Sequence, residues 1–558
     1  MSLNLPSLLG NIEQQFGSLP AIRQWEEGDK TLNWKELIGE VSNIGGVFKQ
    51  LGLRPNDRYA ILGKNSVTLA SLLYAGFWTG CVPVPLNYRL SKFEIKHLLR
   101  DFSPKVIFTC EDFLHLVDAD TANGLSAKLV AFDPVTRPSK SLHHTWLEDL
   151  QALASQTPMN HPQDDDVAII LYTGGTTGPG KGVCLSHKNI VMNALQISNS
   201  MRPTKDDIYL HVSPMFHSTD LKATVVSMFG GSHVYVPQYS TEKIIECIER
   251  EKVTILSLVP AVLIRFLQEA DFDKHPLRSL RLISYGTSPM DTQWLKFCQE
   301  KLSHVGLHQC YGLTETSPYL SILDEETHRF ALQYRPELLR SAGRILPSTQ
   351  VRFVNEERET LAPGSIGEIV VKGPQVCVGY LGRAEESSRA FEEGWFFTGD
   401  IGKLDQDGYL HILERQKDMV KTGGENVYTQ EVETVLLQHP WVSEVAVIGV
   451  KDPRFGETLL AVVVLKANRV GNSNSNSNSN SNNNVNGNVN GDLDLDLDLD
   501  LDLNPSQYAE HFIAFCRDHL GGYKIPRNYQ FLASLPRTAM GKINKVQLRT
   551  EFNRNNNP

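Results

Sequence analysis

Short apolar runs alternate with amphipathic stretches along most of the chain. RYAILGKN (58–65), KVIFTC (105–110), DVAIILYTGG (166–175), VTILSLVP (253–260) and LRLISYG (280–286) predict buried strands that end in loops. Between them, segments such as 35–51, 92–101 and 241–251 place apolar residues three and four apart and predict helices. Strand and helix in alternation indicate βαβ units and a mostly parallel sheet. Ligands of such sheets bind at the carboxyl ends of the strands. The loops after these runs are therefore where chemistry is to be sought.

The pattern changes near residue 416. VSEVAVIGV (442–450), LLAVVVLKA (459–467), a helix around 507–520 and NYQFLASLP (528–536) predict a small α+β lobe. The expected class is α/β. A large N-terminal α/β body with mostly parallel sheets spans residues 1–415, and the small C-terminal lobe spans 416–558. A low-complexity insert at about 471–505 interrupts the lobe. Residues 472–491 are almost entirely Asn and Ser, and 492–503 repeat Asp-Leu. The Asn/Ser part cannot bury enough apolar surface to offset its chain entropy, and a carboxylate at every second position keeps the Asp-Leu part solvated. A disordered surface loop is expected.

Composition narrows the function classes. A chain of 558 residues with 41% hydrophobic and 21% charged residues is ordinary globular protein, not collagen, coiled coil or wholesale disorder. The net charge of −10 argues against a general nucleic-acid binder, which needs a basic surface to displace counterions. Six of those charges sit in the Asp-Leu repeat, which leaves about −4 elsewhere. The eight cysteines share no CxxC or metal-like spacing, so reduced thiols in a cytoplasmic protein are expected. MSLNLPSLLGNIEQQF lacks the basic start of a secretory signal. The longest uncharged stretch, 65–88, holds many polar residues and two prolines. It predicts a buried helix leading into a short strand rather than a membrane span.

The strongest local signal is LYTGGTTGPGKGVCLSH (171–187). A strand ending at Tyr172 enters a loop with Gly174, Gly175, Gly178, Gly180 and Gly182, together with Thr173, Thr176, Thr177 and Lys181. Glycines let backbone N–H groups wrap a phosphate, threonines add donors and lysine adds charge. Gly175 to Lys181 fits GxxxxGK, but Gly182 stands where a hydroxyl would hold magnesium, so the match to a P-loop is incomplete. A second signal is QCYGLTETSP (309–318), where Tyr311 offers a ring to stack on a base and Glu315 a carboxylate for magnesium. GWFFTGD (394–400), HILERQKDMVKTGGENVYTQEVE (411–433) and LPRTAMGKINK (535–545) complete the series.

With LGLRPNDRYAILGKNS (51–66), VPVPLNYRLSKFEIKHLL (82–99), PMFHSTD (214–220) and SAGRILP (341–347), these motifs extend over almost the whole chain. In this order and spacing the chain closely resembles the adenylate-forming superfamily, which includes acyl-CoA synthetases, firefly luciferases and peptide-synthetase adenylation domains. The resemblance implies ATP, Mg²⁺ and CoA as cofactors and a small-molecule carboxylic acid as substrate. The loop carrying Thr173, Gly174, Gly175, Thr176, Thr177, Gly178 and Lys181 would grip the β- and γ-phosphates. Gly286, Thr287, Ser288 and Tyr311, followed by Gly312, would flank the adenine. Thr314 would touch the α-phosphate, and Glu315 would hold the metal. Asp400 would bind both ribose hydroxyls, and Arg415 would reach the ribose and phosphates. His217 would lie at the mouth of the acyl pocket. Lys542 would be the catalytic lysine, bridging carboxylate and α-phosphate oxygens. Lys417 marks the family's hinge, about which the small lobe is mobile, and Gly423 and Gly424 would meet the incoming pantetheine.

Some positions depart from the family pattern. Gly174 replaces a serine and Gly180 a proline in the phosphate loop, Glu414 stands where glycine or aspartate is usual, and the TAMGK segment has methionine where serine is common. None removes an essential functional group. The expected activity is AMP-forming acyl-CoA synthesis in fatty-acid and lipid metabolism, because ERQKDMVKTGGENVYTQEVE resembles the fatty-acyl ligases most. A medium- or long-chain fatty acid is the first expectation and a coumarate- or succinylbenzoate-like aromatic acid the next. A ligase that loads a carrier protein and an inactive nucleotide-binding scaffold are the other readings. Peripheral membrane contact and a homodimer stay open.

Overall fold

A computed structural model describes residues 2–25, 30–117, 119–133, 145–173, 180–287, 290–416, 418–422, 425–452, 454–466, 505–538 and 541–554. It divides into two units, Met1–Ile412 and Leu413–Pro558. The low-complexity insert, from 472 to 503, lies outside the described residues.

The predicted helices form, and their ends are written in local chemistry. Trp34–Leu51 starts with a capping box, in which the Asn33 side chain takes the Glu36 amide and Glu36 returns the bond. Lys92–Phe102 starts the same way at Ser91 and Glu94. It buries Ile95, Leu98, Leu99 and Phe102, a single stripe at helical spacing. The uncharged stretch from residue 65 becomes a helix, Val67–Thr79, and a short strand, Val82–Pro85. Among the described residues no helix is long and apolar enough to cross a membrane.

Unit 1 contains two sheets with parallel cores. One has nine strands, with Gly306–Tyr311, Leu282–Gly286, Ile255–Leu258, Ile208–His211, Ser232–Tyr235 and Pro20–Gln24 parallel in that spatial order. Its edges are antiparallel: Ser321–Leu323 and Arg344–Ile345 on one side, Thr31–Asn33 on the other. The other has five parallel strands, among them Arg58–Leu62 and Val106–Cys110. Its core packs Leu37, Val41, Phe48, Tyr59 and Phe108, with the Phe48 and Tyr59 rings 4.8 Å apart.

One predicted strand is placed differently. Val167–Tyr172 belongs to no parallel sheet but pairs antiparallel with Gly182–Ser186, which in turn pairs with Gly379–Tyr380. The connection, residues 173–181, is shorter than the dozen or so residues a parallel crossover requires. The glycine-rich loop therefore joins two strands of a hairpin instead of leading from strand to helix. That separates it from a P-loop by topology as well as by the missing hydroxyl. A further antiparallel sheet, including Gln350–Val354, Gly367–Lys372 and Trp395–Leu404, follows in the chain.

Unit 2 is built on the antiparallel pair Val442–Asp452 and Gly456–Leu465, with Asn528–Phe531 parallel to the latter. Val445, Val447, Leu459, Ala461 and Val463 face one core together with Val432, Leu436 and Phe512. Ala446, Ile448, Leu460 and Val462 face another with Leu535 and Leu548. Both faces are covered, so these strands read as continuous apolar runs. All eight cysteines are buried and free. Burial pushes the thiols of Cys81 and Cys184 up to about 11 and those of Cys110, Cys247 and Cys298 up to about 12.

Candidate functional site

The loops beyond the carboxyl ends of Ile208–His211, Leu282–Gly286 and Gly306–Tyr311 carry the PMFHSTD, Gly286–Thr287 and YGLTE segments. Asn65, from the LGKNS motif, holds the loop before His217. Its Nδ2 donates to the carbonyls of His211 and Ser213 at 3.1 and 2.9 Å, and its Oδ1 accepts the Met215 amide at 2.9 Å. His217 is half-buried, with its ring 4.4 Å from that of Phe216. It precedes a short helical turn, Ser218–Ala223. The Ser218 and Thr314 hydroxyls are hydrogen-bonded at 3.3 Å, so the PMFHS and YGLTE motifs meet across 96 residues of sequence.

The segment after Tyr311 is shaped by close backbone approach. A Cβ on Gly312 would collide with the Pro318 carbonyl, and one on Gly286 with the Cys310 carbonyl. Thr287 has φ 74°, a region where a β-branched residue is strained. Strain of that kind concentrates at functional sites. Thr287 lines a cavity with Ser213, Thr219, Ser257, Leu258 and Tyr319.

Two predicted residues, Glu315 and Lys181, are tied together through one that the motifs did not single out. Tyr380 donates to Glu315 Oε1 at 2.9 Å. Its ring lies 4.9 Å from the Lys181 ammonium. Lys181 in turn pairs with Glu386 at 2.7 Å, which holds that carboxylate below its usual range. Tyr380 itself is pushed well above its ordinary pKa, by burial first and by Glu315 second. The Thr173 amide donates to the Lys181 carbonyl at 3.0 Å, so the two ends of the glycine-rich segment meet. Gly174, Gly175, Thr176, Thr177 and Gly178 lie outside the described residues, as does Ser288.

Asp400 is 2% exposed, and its Oδ2 accepts the Tyr311 hydroxyl at 2.6 Å. Tyr311 and Asp400 are thus neighbours although 89 residues separate them. A buried carboxylate with a phenol bound to one side is suited to accept further hydroxyls. Among the described residues no group of three or more His, Cys, Asp or Glu could hold a metal. Glu315 is one carboxylate, which fits Mg²⁺ only if phosphate oxygens supply most of the remaining ligands.

Arg415 and Lys542 belong to unit 2. Arg415 is exposed at the end of its strand. Lys542 is exposed, its carbonyl accepts the Thr538 amide at 2.7 Å, and the Gly541 amide donates to the Thr538 carbonyl at 2.8 Å. Lys417, Gly423 and Gly424 lie outside the described residues. The unusual Glu414 has a clear task. It accepts the Thr429 hydroxyl and, at 2.9 Å, the Gln430 amide, so it caps the helix Thr429–Leu436. Lys545 reaches Thr429 Oγ1 at 2.7 Å and Glu433 at 2.8 Å. Burial pulls the Lys545 pKa down, but Glu433 and Glu414 outweigh it and hold the pKa above the usual value.

Sequence reasoning also missed Lys222, five residues after His217, which is 2% exposed and bonded to Ser257. A single charged residue in the continuation LKATVVSMF was the available signal.

Comparison with known proteins agrees with this geometry. The family described as "AMP-binding enzyme" matches residues 12–381, and "AMP-binding enzyme C-terminal domain" matches residues 431–493. The chain is 31% identical over 531 residues to a feruloyl-CoA synthase of an Amycolatopsis species, covering 94% of this chain and 95% of that one. It is 30% identical over 526 residues to a long-chain-fatty-acid–CoA ligase of Mycobacterium tuberculosis, covering 94% of each. The crystal structure of ATP-bound MatB from Rhodopseudomonas palustris superposes with a TM-score of 0.83 at 29% identity, covering 99% of both chains.

Proposed function

Because the chain belongs to the AMP-binding enzyme family, as an acyl- or aryl-CoA ligase, we propose that it activates a carboxylic acid with ATP and passes the acyl group to CoA. The observation that carries this reading is the convergence of separate motifs in unit 1: Ser218 on Thr314, Tyr380 between Lys181 and Glu315, and Tyr311 on Asp400.

A carboxylate is a poor electrophile because its leaving group is oxide. One of its oxygens attacks the α-phosphorus, a P–O bond forms, the α–β bridge breaks and pyrophosphate leaves. Two anions meet in that step, so the site must supply positive charge and fixed donors. Magnesium, when bound, supplies charge against the phosphates. Glu315 would hold it, with Tyr380 fixing the carboxylate. Lys181 would face the outer phosphates, Asp400 would orient the ribose, and His217 would stand at the entrance to the acyl cavity. Lys542 would neutralise the meeting oxygens. The CoA thiol then attacks the acyl carbon, the C–S bond forms, AMP leaves with its electron pair and the thiol proton is released.

The fatty acids favoured by the motif wording and the aromatic acids share this chemistry. Mass spectrometry after incubation with ATP, magnesium, CoA and a pooled panel of acids separates them. A selective set of thioesters identifies the acid. Acyl-adenylates without thioesters would mean a carrier-protein acceptor, and neither product would overturn the proposal.

A further inference from the structure

The strand Trp395–Leu404 does not pair evenly with its neighbour Gly367–Lys372. Glu368 lies opposite Ile401 and Val370 opposite Phe397, so Thr398, Gly399 and Asp400 face Ile369 alone. A bulge of this kind disrupts the ladder, and its amides need other acceptors. Two side chains supply them. The Gly399 amide donates to Glu368 Oε1 at 3.0 Å. The Asp400 amide donates to Thr398 Oγ1 at 3.1 Å, and that hydroxyl donates onward to the Ile369 carbonyl at 2.8 Å. Gly399 has φ 69°, and a Cβ on it would meet open space. Conformation rather than crowding therefore calls for glycine there.

Thr398 braces the bulge from within, whereas Glu368 braces it from the neighbouring strand. Among the described residues the one hydrogen bond of the Glu368 side chain is that to Gly399. The guanidinium of Arg358, also nearby, is committed to Glu392 at 2.6 Å and lies 4.1 Å from the centre of the Phe397 ring. Burial raises the Glu368 pKa and Asp400 adds to the rise, against the pull of the Gly399 amide and Arg358. A half-buried carboxylate close to a second one is costly to hold. What it secures is the shape of the bulge, and bulges beside functional sites re-aim a side chain. The side chain that this bulge carries is Asp400, the acceptor of the Tyr311 hydroxyl.

We propose that Glu368 is a positioning residue for nucleotide recognition, holding the bulge at residues 398–400 so that the Asp400 carboxylate meets the ribose hydroxyls. The inference rests on the reading of Asp400 as the ribose acceptor. Glu368 acts through Asp400 and not on the nucleotide itself. Bonds from hydroxyls to a carboxylate operate over about 2.5–3.0 Å, and a misplacement of about 1 Å can cost about a hundredfold. A brace on the backbone beside the carboxylate therefore controls affinity without touching the ligand.

The test measures binding of ATP and of 2′-deoxy-ATP, each with magnesium, to the full-length enzyme by titration calorimetry, which requires no acid substrate. The parent enzyme should bind ATP about tenfold or more tightly than 2′-deoxy-ATP, the worth of one hydrogen bond to a charged acceptor. Glu368→Leu removes the acceptor of the Gly399 amide. It should weaken ATP by about tenfold and 2′-deoxy-ATP by clearly less, so that the gap narrows. Glu368→Gln keeps an acceptor and should restore the gap. Glu368→Thr, a good strand former too short to reach Gly399, decides by the same criterion where Glu368→Leu does not fold. Equal weakening of both nucleotides marks a merely structural residue and overturns the inference, as does a gap left whole by the loss of Glu368 or one that Glu368→Gln fails to restore; the Asp400 reading survives each of these. No gap in the parent enzyme overturns the ribose reading of Asp400 and this inference with it.

Discussion

Asp400 offers the sharpest test of the nucleotide site. It is buried, its Oδ2 is taken by the Tyr311 hydroxyl at 2.6 Å, and its amide donates to Thr398 Oγ1 at 3.1 Å. Asp400→Asn keeps this shape and an acceptor for Tyr311, so the fold should survive. What it removes is charge. A hydrogen bond to a charged acceptor contributes about 1.5–3 kcal/mol, against about 0.5–1.5 kcal/mol for a neutral one. Two ribose hydroxyls then lose about 2–3 kcal/mol together, which is about 30- to 150-fold in affinity. The KM for ATP in acid-dependent pyrophosphate exchange should rise by that factor, while the KM for the acid moves little. The cycle with 2′-deoxy-ATP isolates the contact. The deoxy substrate should be strongly penalised in the parent enzyme and only weakly in the variant. Equal penalties in both would refute the assignment, whatever happened to the KM for ATP. Tyr311→Phe should show a smaller rise of about tenfold, because the carboxylate stays charged but loses its brace.

Lys542→Ala should suppress adenylate formation strongly yet spare thioester formation from supplied acyl-adenylate; equal loss of both half-reactions would contradict its assignment to the first step. Asp207 is 2% exposed and takes Arg281 Nε and Nη2 at 2.7 Å each, the Thr254 hydroxyl at 2.7 Å and the Thr204 amide at 2.7 Å. Arg281→Met should cost about 1.5–3 kcal/mol in stability, because the carboxylate loses its charged partner but keeps the Thr254 and Thr204 donors, read as a fall in the unfolding midpoint. His187 and His328 are lowered to about 4 and His308 to about 3, all by burial, so they fold neutral and charge only when unfolded. Unfolding therefore takes up protons below pH 6.5, and the stability these histidines lend is present above that value and lost as pH falls towards 4. Each adds about 1.4 kcal/mol per pH unit in that window. Chemical denaturation between pH 7 and 4.5 should show the slope, and His328→Gln should flatten it.

Local chemistry made much of this protein legible in advance. The polar-spotted run from residue 65 became a helix and strand because glycine and proline punctuate it, and unit 2 declared its two covered faces through unbroken valine runs. Pairing partners were not legible. Val167–Tyr172 reads the same whether its neighbour is parallel or antiparallel, and only the short return to Gly182 decides. Tyr380 reaches Glu315 from 65 residues away, and nothing in its surrounding sequence announces the contact. Glu414 looked like an irregularity until the helix start it caps was in view.

The buried cysteines have a practical consequence. A thiol-reactive dye added to the folded protein meets only buried cysteines, so its rapid colour change should report mainly free coenzyme. Consumption of CoA can be followed continuously over a silent protein background. The same dye should register eight new sulfurs when the chain opens. One reagent thus reads turnover at ordinary temperature and the loss of the native state on heating.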